Sequence, residues 1–562
     1  MPCTSAAMPL LKFPRSALRG GALRMLLLPI TTTAGMAIRP PAAAGVGAAA
    51  GLKKRHALLT FGFVGTDFYG LQSQSAEGDP NRPTVSDVIR QALLKQGFIL
   101  ESNFVPLERS KWTLASRTDK GVHAACAAAS VKIETHGSDV RLDDDSEADA
   151  DARTALMSAP TKAVASDWSL SPEALGRINA ALPPSVRVFS GGYVRKRFDA
   201  REAASCRTYE YLLPASAVAA SAPELDAVLR RFEGTHRMHN FASGLRLNQQ
   251  SAGEYTCDAT GLSWPLALTK NAQSAAYRSV LTCRVHREVE VAGEPYMVLR
   301  IAGLAFVLHQ IRHMIGAALA VTNGIVPVDA LEIALSSPLR VDVSPLVPGM
   351  GLLLDEIEWF DVRTGEYEAR LSPATREVME AFKMATLYPH IHQLYAAGAY
   401  EHFLAELRSG NFTKQLGAES YEALRVVHAA HREHVMELAQ QRREQRAARR
   451  AAYHQEQQMG EASSADSSDG GGGSGAGASG GAPQLLRDGG QGGGNQRRPR
   501  KAPKESELPG GMLVQICVAR QQRPGPETHR VHQLLKDKVK SGELEPNQPY
   551  EYYFDALARY GA

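Results

Sequence analysis

Cysteine is scarce and poorly spaced for a metal site. Cys3, Cys126, Cys206, Cys257, Cys283 and Cys517 are the six in 562 residues, and no two form a CxxC pair. A zinc ribbon is therefore disfavoured, the sparse cysteines give no disulfide scaffold, and a reducing compartment is the default. Long apolar runs are lacking too. No stretch of eighteen apolar residues exists, and the run at residues 25–30 is cut by Pro29, which argues against a membrane-spanning helix. Charge of one sign is also missing: 63 Lys plus Arg stand against 59 Asp plus Glu, a formal +4, so any basic surface must be local. The main region has no phosphate-binding glycine loop, dinucleotide fingerprint or serine nucleophile elbow, which favours a reaction without a cofactor. What is present is 44% apolar and 7% aromatic content, enough for a sizeable core, while 49 Gly and 31 Pro concentrate in particular stretches. Collagen-like and wholly disordered chains are excluded, and the length allows three or four units.

Residues 1–50 carry Lys12, Arg15, Arg19, Arg24 and Arg39, many Ser, Thr and Ala, and no acid; the first is Asp67. This is the composition of an organellar transit peptide, so a mitochondrion or chloroplast is the expected destination; an untargeted disordered leader is the plainer alternative. In residues 51–365 strands and helices interleave. Residues 57–63, 207–213, 280–291 and 296–301 read as strands, 131–133 as the end of another, and 85–96 and 306–321 as helices. The class is α+β (α/β). Residues 139–151 hold seven acids against one Arg and read as a solvated loop. Residues 366–458 form a helical charged extension. Its Arg442, Arg443, Arg446, Arg449 and Arg450 lie in a stretch without interleaved aromatics, which fits a solvent-exposed helix better than an RNA-binding one. Residues 459–510 form a Gly/Ser-rich linker. Within it, Arg497, Arg498, Pro499, Arg500 and Lys501 resemble a nuclear-import signal and make the nucleus the alternative destination. Residues 511–562, with Tyr550, Tyr552 and Tyr553, read as a small ordered piece with no assigned role.

Three constellations carry chemistry. In Ala115-Ser116-Arg117-Thr118-Asp119-Lys120-Gly121-Val122-His123-Ala124 a carboxylate lies between Arg117 and Lys120 at a strand-to-loop turn that Gly121 permits. Neighbouring cations favour a carboxylate over an acid, which suits a nucleophile or base; composition alone reads the same group as a surface ion pair. In Arg207-Thr208-Tyr209-Glu210-Tyr211, strand alternation sets Arg207, Tyr209 and Tyr211 opposite Thr208, Glu210 and Leu212. A ring on that face could stack on a base, or both tyrosines could be core residues. In residues 306–316, a helix would bury Leu308, Ile311 and Ile315 and set His309, Arg312 and Gly316 on another face, with Gly316 leaving room beside Arg312. His309 and His313 are four apart, but no third ligand accompanies them, so no metal is expected.

Taken in order, Gly65-Thr66 with Tyr69-Gly70-Leu71-Gln72, the Arg117–Ala124 segment, Asn179 with Leu182-Pro183, Phe198-Asp199-Ala200-Arg201, the Arg207–Tyr211 segment, His239-Asn240-Phe241, residues 306–316 and Gly351-Leu352 resemble the TruA family of tRNA pseudouridine synthases. The resemblance covers about 310 residues and leans to the eukaryotic branch through Lys120, the Tyr-Glu-Tyr-Leu-Leu-Pro run and Leu308-His309-Gln310-Ile311-Arg312. It implies two ferredoxin-like halves, about 51–204 and 205–365, sharing an antiparallel sheet with a cleft between them. It implies that Asp119 attacks the target nucleotide, at sugar or ring, so that the uracil detaches, rotates and rejoins through carbon. Tyr209 matches the active-site tyrosine that stacks on the uracil, and Arg312 the arginine that pairs with the catalytic carboxylate. Arg117, Lys120, Arg201, Arg207 and His309 are the expected RNA-binding residues. The implied partner is tRNA, with other RNA also open; no cofactor, metal or membrane is implied, and a monomer is expected rather than a homodimer. Phe63, Phe68, Asp199 and Glu202 depart from the pattern and bear on RNA positioning. A catalytically silent RNA-binding or chaperone protein on the same fold is the competing reading.

Overall fold

In the computed structural model, which describes residues 52–75, 78–142, 168–243, 254–267, 276–361, 364–413, 418–465, 508, 512–520, 522–545 and 550–559, the apolar run at 57–63 forms the buried part of β1 (Lys53–Phe63). The leader 1–50, the acidic residues 143–151, most of the 459–510 linker and the basic cluster 497–501 lie outside the described residues. Further strands follow in order: β2 (Thr113–Leu114), β3 (His123–Thr135), β4 (Val140–Leu142), β5 (Trp168–Leu170), β6 (Val186–Tyr193), β7 (Cys206–Pro214), β8 (Gly234–Arg237), β9 (Glu254–Thr256), β10 (Ser263–Pro265), β11 (Tyr277–Val291), β12 (Glu294–Gly303), β13 (Leu352–Asp361) and β14 (Glu366–Ala369). Twelve of them make one sheet in the order β4-β5-β6-β1-β3-β13-β7-β12-β11-β8, with β2 on β3 and β14 on β13; β9 and β10 pair separately. The class is mixed α+β, and the large sheet is antiparallel except where β13 runs parallel to β3, Leu353 beside His123 and Leu354 beside Ala124. Strands from before and after residue 204 meet at that seam.

One face of the sheet packs on α1 (Val85–Lys95) and α2 (Pro172–Ala180) in the first half, and on α3 (Ala222–Leu229), α4 (Gln310–Thr322) and α5 (Val328–Ser336) in the second. Local chemistry starts these helices. The Thr84 hydroxyl accepts from the Asp87 amide and donates to the Asp87 carboxylate at 2.6 Å, and Ser171 caps α2 ahead of Pro172. The opposite face is covered by the C-terminal extension: α6 (Pro373–Phe382), a π-turn (Lys383–Leu387) and α7 (Tyr388–Ala396), whose Leu387, Tyr388 and Ile391 pack on Val64, Leu212, Val298 and Leu353. Lys383 is 4% exposed and lies 2.7 Å from Asp355 and 3.2 Å from Glu210, which is 1% exposed. Burial pushes the Glu210 carboxyl up. Next, α8 (Glu401–Ser409) and the long α9 (Ala418–Ala465) pack Phe403, Leu407, Tyr421, Leu424 and Val427 onto the main core. The last helices, α10 (Met512–Ala519), α11 (Pro526–Lys540) and α12 (Tyr550–Arg559), share a small core with Tyr553 inside it. They meet the sheet where Cys517 packs against Cys206, Leu281 and Ala302 and where Arg523 bonds both Glu356 and Glu358.

Three expectations change. Asp139, read as part of a solvated loop, is buried: it bonds Arg177 at 2.7 Å and accepts the His136 amide at 2.7 Å, fastening β4 to α2. The helix expected from residue 306 starts at Gln310, because His309 has φ 63, a left-handed conformation that no right-handed helix accommodates. Leu308 is consequently 53% exposed, while Ile311 and Ile315 are buried as expected. Gly316 admits the Pro345 carbonyl rather than Arg312, and it is at Gly349 that an added Cβ would lie 3.7 Å from the guanidinium carbon of Arg312.

Candidate active site

The turn between β2 and β3 carries Asp119 to the seam. Gly121, at φ 79, lets the chain reverse, and the Val122 amide donates back to the Asp119 carbonyl at 3.2 Å. Gly70 lies directly against this turn: at φ 92, a Cβ there would be 2.8 Å from the Thr118 carbonyl. His123 braces the turn from below. Its Nδ1 accepts the Gly65 amide at 2.9 Å, so its Nε2–H donates to the Met350 carbonyl at 3.0 Å and the ring is neutral. Burial, helped by nearby His390, holds its pKa at about 3.

Asp119, Tyr209, Arg312, Arg117, Lys120, Arg201, Arg207 and His309 all line one cleft of about 540 Å³. Their environments differ. The Asp119 side chain is 30% exposed, and the one basic side chain within 4 Å of its carboxylate among the described residues is His309, whose Nε2 lies 3.5 Å from Oδ2. The flanking cations do not pair with it: Arg117 is exposed on the cleft wall, and the Lys120 ammonium sits 4.2 Å over the Tyr69 ring. Arg312 reaches Asp119 only through space. Its Nε donates to the Val347 carbonyl at 2.7 Å, burial lowers its pKa, and the attraction of Asp119 opposes that.

Tyr209 is 7% exposed and, like Arg207, lines the cleft. Its hydroxyl bonds Ser116 Oγ at 2.8 Å and its ring meets Phe306 edge-on at 5.5 Å. Burial pushes the phenol up, disfavouring the phenolate. Arg207 spends all five N–H donors on carbonyls of Ala115, Arg201, Ala204 and Leu304, which makes it a brace for the loops around the cleft. His309 and His313 both approach Ser243 Oγ, at 2.8 and 3.4 Å, and no group of three or more metal-ligating side chains exists among the described residues.

Sequence reasoning gave no role to Ser116 or Tyr69 and placed Leu308 in a buried stripe, although all three line the cleft. Tyr69 and Leu308 are large apolar groups left exposed at its mouth. For Leu308 the signal was hidden by the helical period; for Tyr69 the aromatic beside Gly70 was available to be read.

A family model described as tRNA pseudouridine synthase matches residues 228–359, which include Arg312 but neither Asp119 nor Tyr209. The Mus musculus "Pseudouridylate synthase 1 homolog" is 25% identical over 360 residues, covering 60% of this chain and 70% of that protein. The Candida glabrata "tRNA pseudouridine synthase 1" is 23% identical over 452 residues, covering 66% and 73%. The Saccharomyces cerevisiae "tRNA pseudouridine(27/28) synthase" is 29% identical over 156 residues, covering 28% and 31%.

Proposed function

We propose that this chain is a pseudouridine synthase of the eukaryotic TruA type, a reading its matches support, and that it isomerises uridine to pseudouridine in tRNA with Asp119 as nucleophile. The observation that carries this reading is the meeting of Asp119, Tyr209 and Arg312, from three distant segments, around one cleft of nucleotide size. A stacked or paired uridine cannot reach Asp119, so it is swung out of the RNA at a cost of a few kcal/mol. The Tyr209 ring offers a stacking surface in return. An Asp119 oxygen then bonds to the ribose carbon or to the uracil ring, the bond from N1 to the ribose breaks, and the uracil turns. C5 bonds to the ribose, the Asp119 bond is released and the C5 proton is lost. Product and substrate are isomers, so the sequence of steps consumes no oxidant, reductant or phosphate. Since burial disfavours its phenolate, Tyr209 acts as a neutral ring whose hydroxyl is held by Ser116. Arg312 faces Asp119 through space, and Arg117 and Arg201 offer charge to the RNA backbone.

Incubation with unmodified tRNA, followed by digestion to nucleosides and chromatography, is expected to give pseudouridine at the expense of uridine. Unchanged nucleosides with retained tRNA binding would favour the silent RNA-binding protein. The acid-free basic leader supports import into a mitochondrion or chloroplast. A fluorescent fusion of residues 1–50 that stays in the cytosol would remove that destination, and one of residues 495–503 that gathers in the nucleus would favour the other. Light scattering is expected to give the mass of one chain.

A further inference from the structure

His309 is held in a conformation that residues other than glycine seldom adopt, and such strain persists where surrounding bonds enforce it. Those bonds are present. The Ser243 amide donates to the Leu308 carbonyl at 3.1 Å, and the Ser243 hydroxyl lies 2.8 Å from His309 Nδ1. On its other side Ser243 Oγ lies 3.4 Å from His313 Nε2, and His313 Nδ1 lies 2.9 Å from Ser344 Oγ. His309 Nε2 faces Asp119 Oδ2 at 3.5 Å.

The protons in this chain run one way. If His309 carried its proton on Nδ1, the Nε2 lone pair would face a carboxylate; with the proton on Nε2, the two attract. A neutral His309 protonated on Nε2 must accept at Nδ1, so the Ser243 hydroxyl donates to it and accepts in turn from His313 Nε2–H. His313 then accepts from the Ser344 hydroxyl. Ser243 thus selects the tautomer that the carboxylate needs.

We propose that His309 is a positioning residue for Asp119: its Nε2–H holds Oδ2, leaving Oδ1 to attack, and Ser243 fixes the ring's orientation and tautomer. This rests on Asp119 being the nucleophile, and it replaces a phosphate-binding role for His309. The charged groups that bear on His309 are Asp119 and, from α4, Arg312; Arg117 and Lys120 line the same cleft, and His313 shares Ser243 with His309. Burial lowers its pKa, Asp119 opposes the shift, and Arg312 adds to it.

Steady-state kinetics on tRNA test the assignment. His309→Ala is expected to lower kcat by up to about 100-fold, as a misplaced reacting group does, with KM unchanged. His309→Gln, whose amide N–H can occupy the Nε2 position, is expected to recover most of that loss. Ser243→Ala is expected to lower kcat near pH 8 and to approach the parent as pH falls, because an imidazolium carries a proton on both nitrogens and no longer needs its tautomer chosen. On the His309→Gln background the same serine change is expected to cost nothing further. A rise in KM with kcat intact for His309→Ala, or a full Ser243→Ala penalty on the glutamine background, would overturn the proposal. Nitrogen-15 shifts of the His309 ring supply a readout independent of turnover: Nε2 protonated in the parent and Nδ1 gaining population in Ser243→Ala. Those shifts without any isomerisation by the parent would fault the enzymatic reading and spare the tautomer; a parent ring protonated on Nδ1 would fault the tautomer itself.

Discussion

Tyr209 presents a ring to the cleft and a hydroxyl to Ser116, and two substitutions separate them. Tyr209→Phe keeps the stacking surface, so slowed product release with turnover retained is expected in single-turnover against steady-state rates; Tyr209→Ala is expected to lose far more, since base stacking on an aromatic contributes about 1–3 kcal/mol. Gly70→Ala forces a side chain into φ 92 and toward the Thr118 carbonyl, and is expected to cost about 1–3 kcal/mol in urea unfolding. His123 ties stability to pH. Its folded-state pKa of about 3 lies below the ordinary 6.5, so between those values the unfolded chain binds the extra proton. Stability from this group is whole above about pH 6.5 and is lost as pH falls toward 3, by at most about 1.4 kcal/mol per pH unit. Urea midpoints at pH 7, 5.5 and 4.5 should fall less steeply for His123→Gln than for the parent. That Asp119, Tyr209 and Arg312 would share one cleft was legible because their neighbours form recognisable segments. Ser116 was not assigned a role, because its use depends on a strand 93 residues away.

Among the elements, β7 was readable from its period of two: Tyr209 and Tyr211 turn to the main core, Glu210 and Leu212 to the opposite face. The start of α4 was not, because the apolar period runs through Leu308 while the backbone breaks its helical sense at His309. The placement of the C-terminal extension was hidden for another reason. Lys383 and Arg523 enter the structure to meet acids on the sheet, and no local pattern announces a partner so remote in sequence. Lys383→Ala leaves Glu210 and Asp355 buried without their nearest ammonium and is expected to cost about 3–5 kcal/mol, read as a lowered denaturant midpoint. An unchanged midpoint would mean that the extension does not fasten the sheet.

For the whole molecule, Asp119 comes from the turn before β3 and Arg312 from a helix between β12 and β13, and the parallel seam of β3 and β13 lies beside the cleft that both line. A near-neutral chain concealed this, since the cations gather locally around the cleft. Binding and chemistry should therefore separate under the proposed function: Asp119→Ala is expected to bind tRNA with the parent's salt dependence, whereas loss of Arg117 or Arg201 should reduce the slope of log affinity against log salt by about one unit each. The most direct test of the account is release of tritium from tRNA labelled at uracil C5, because forming the new carbon bond must expel that hydrogen. The parent chain is expected to release label in proportion to pseudouridine formed, and Asp119→Ala none; no release by the parent, or equal release by the variant, would contradict it.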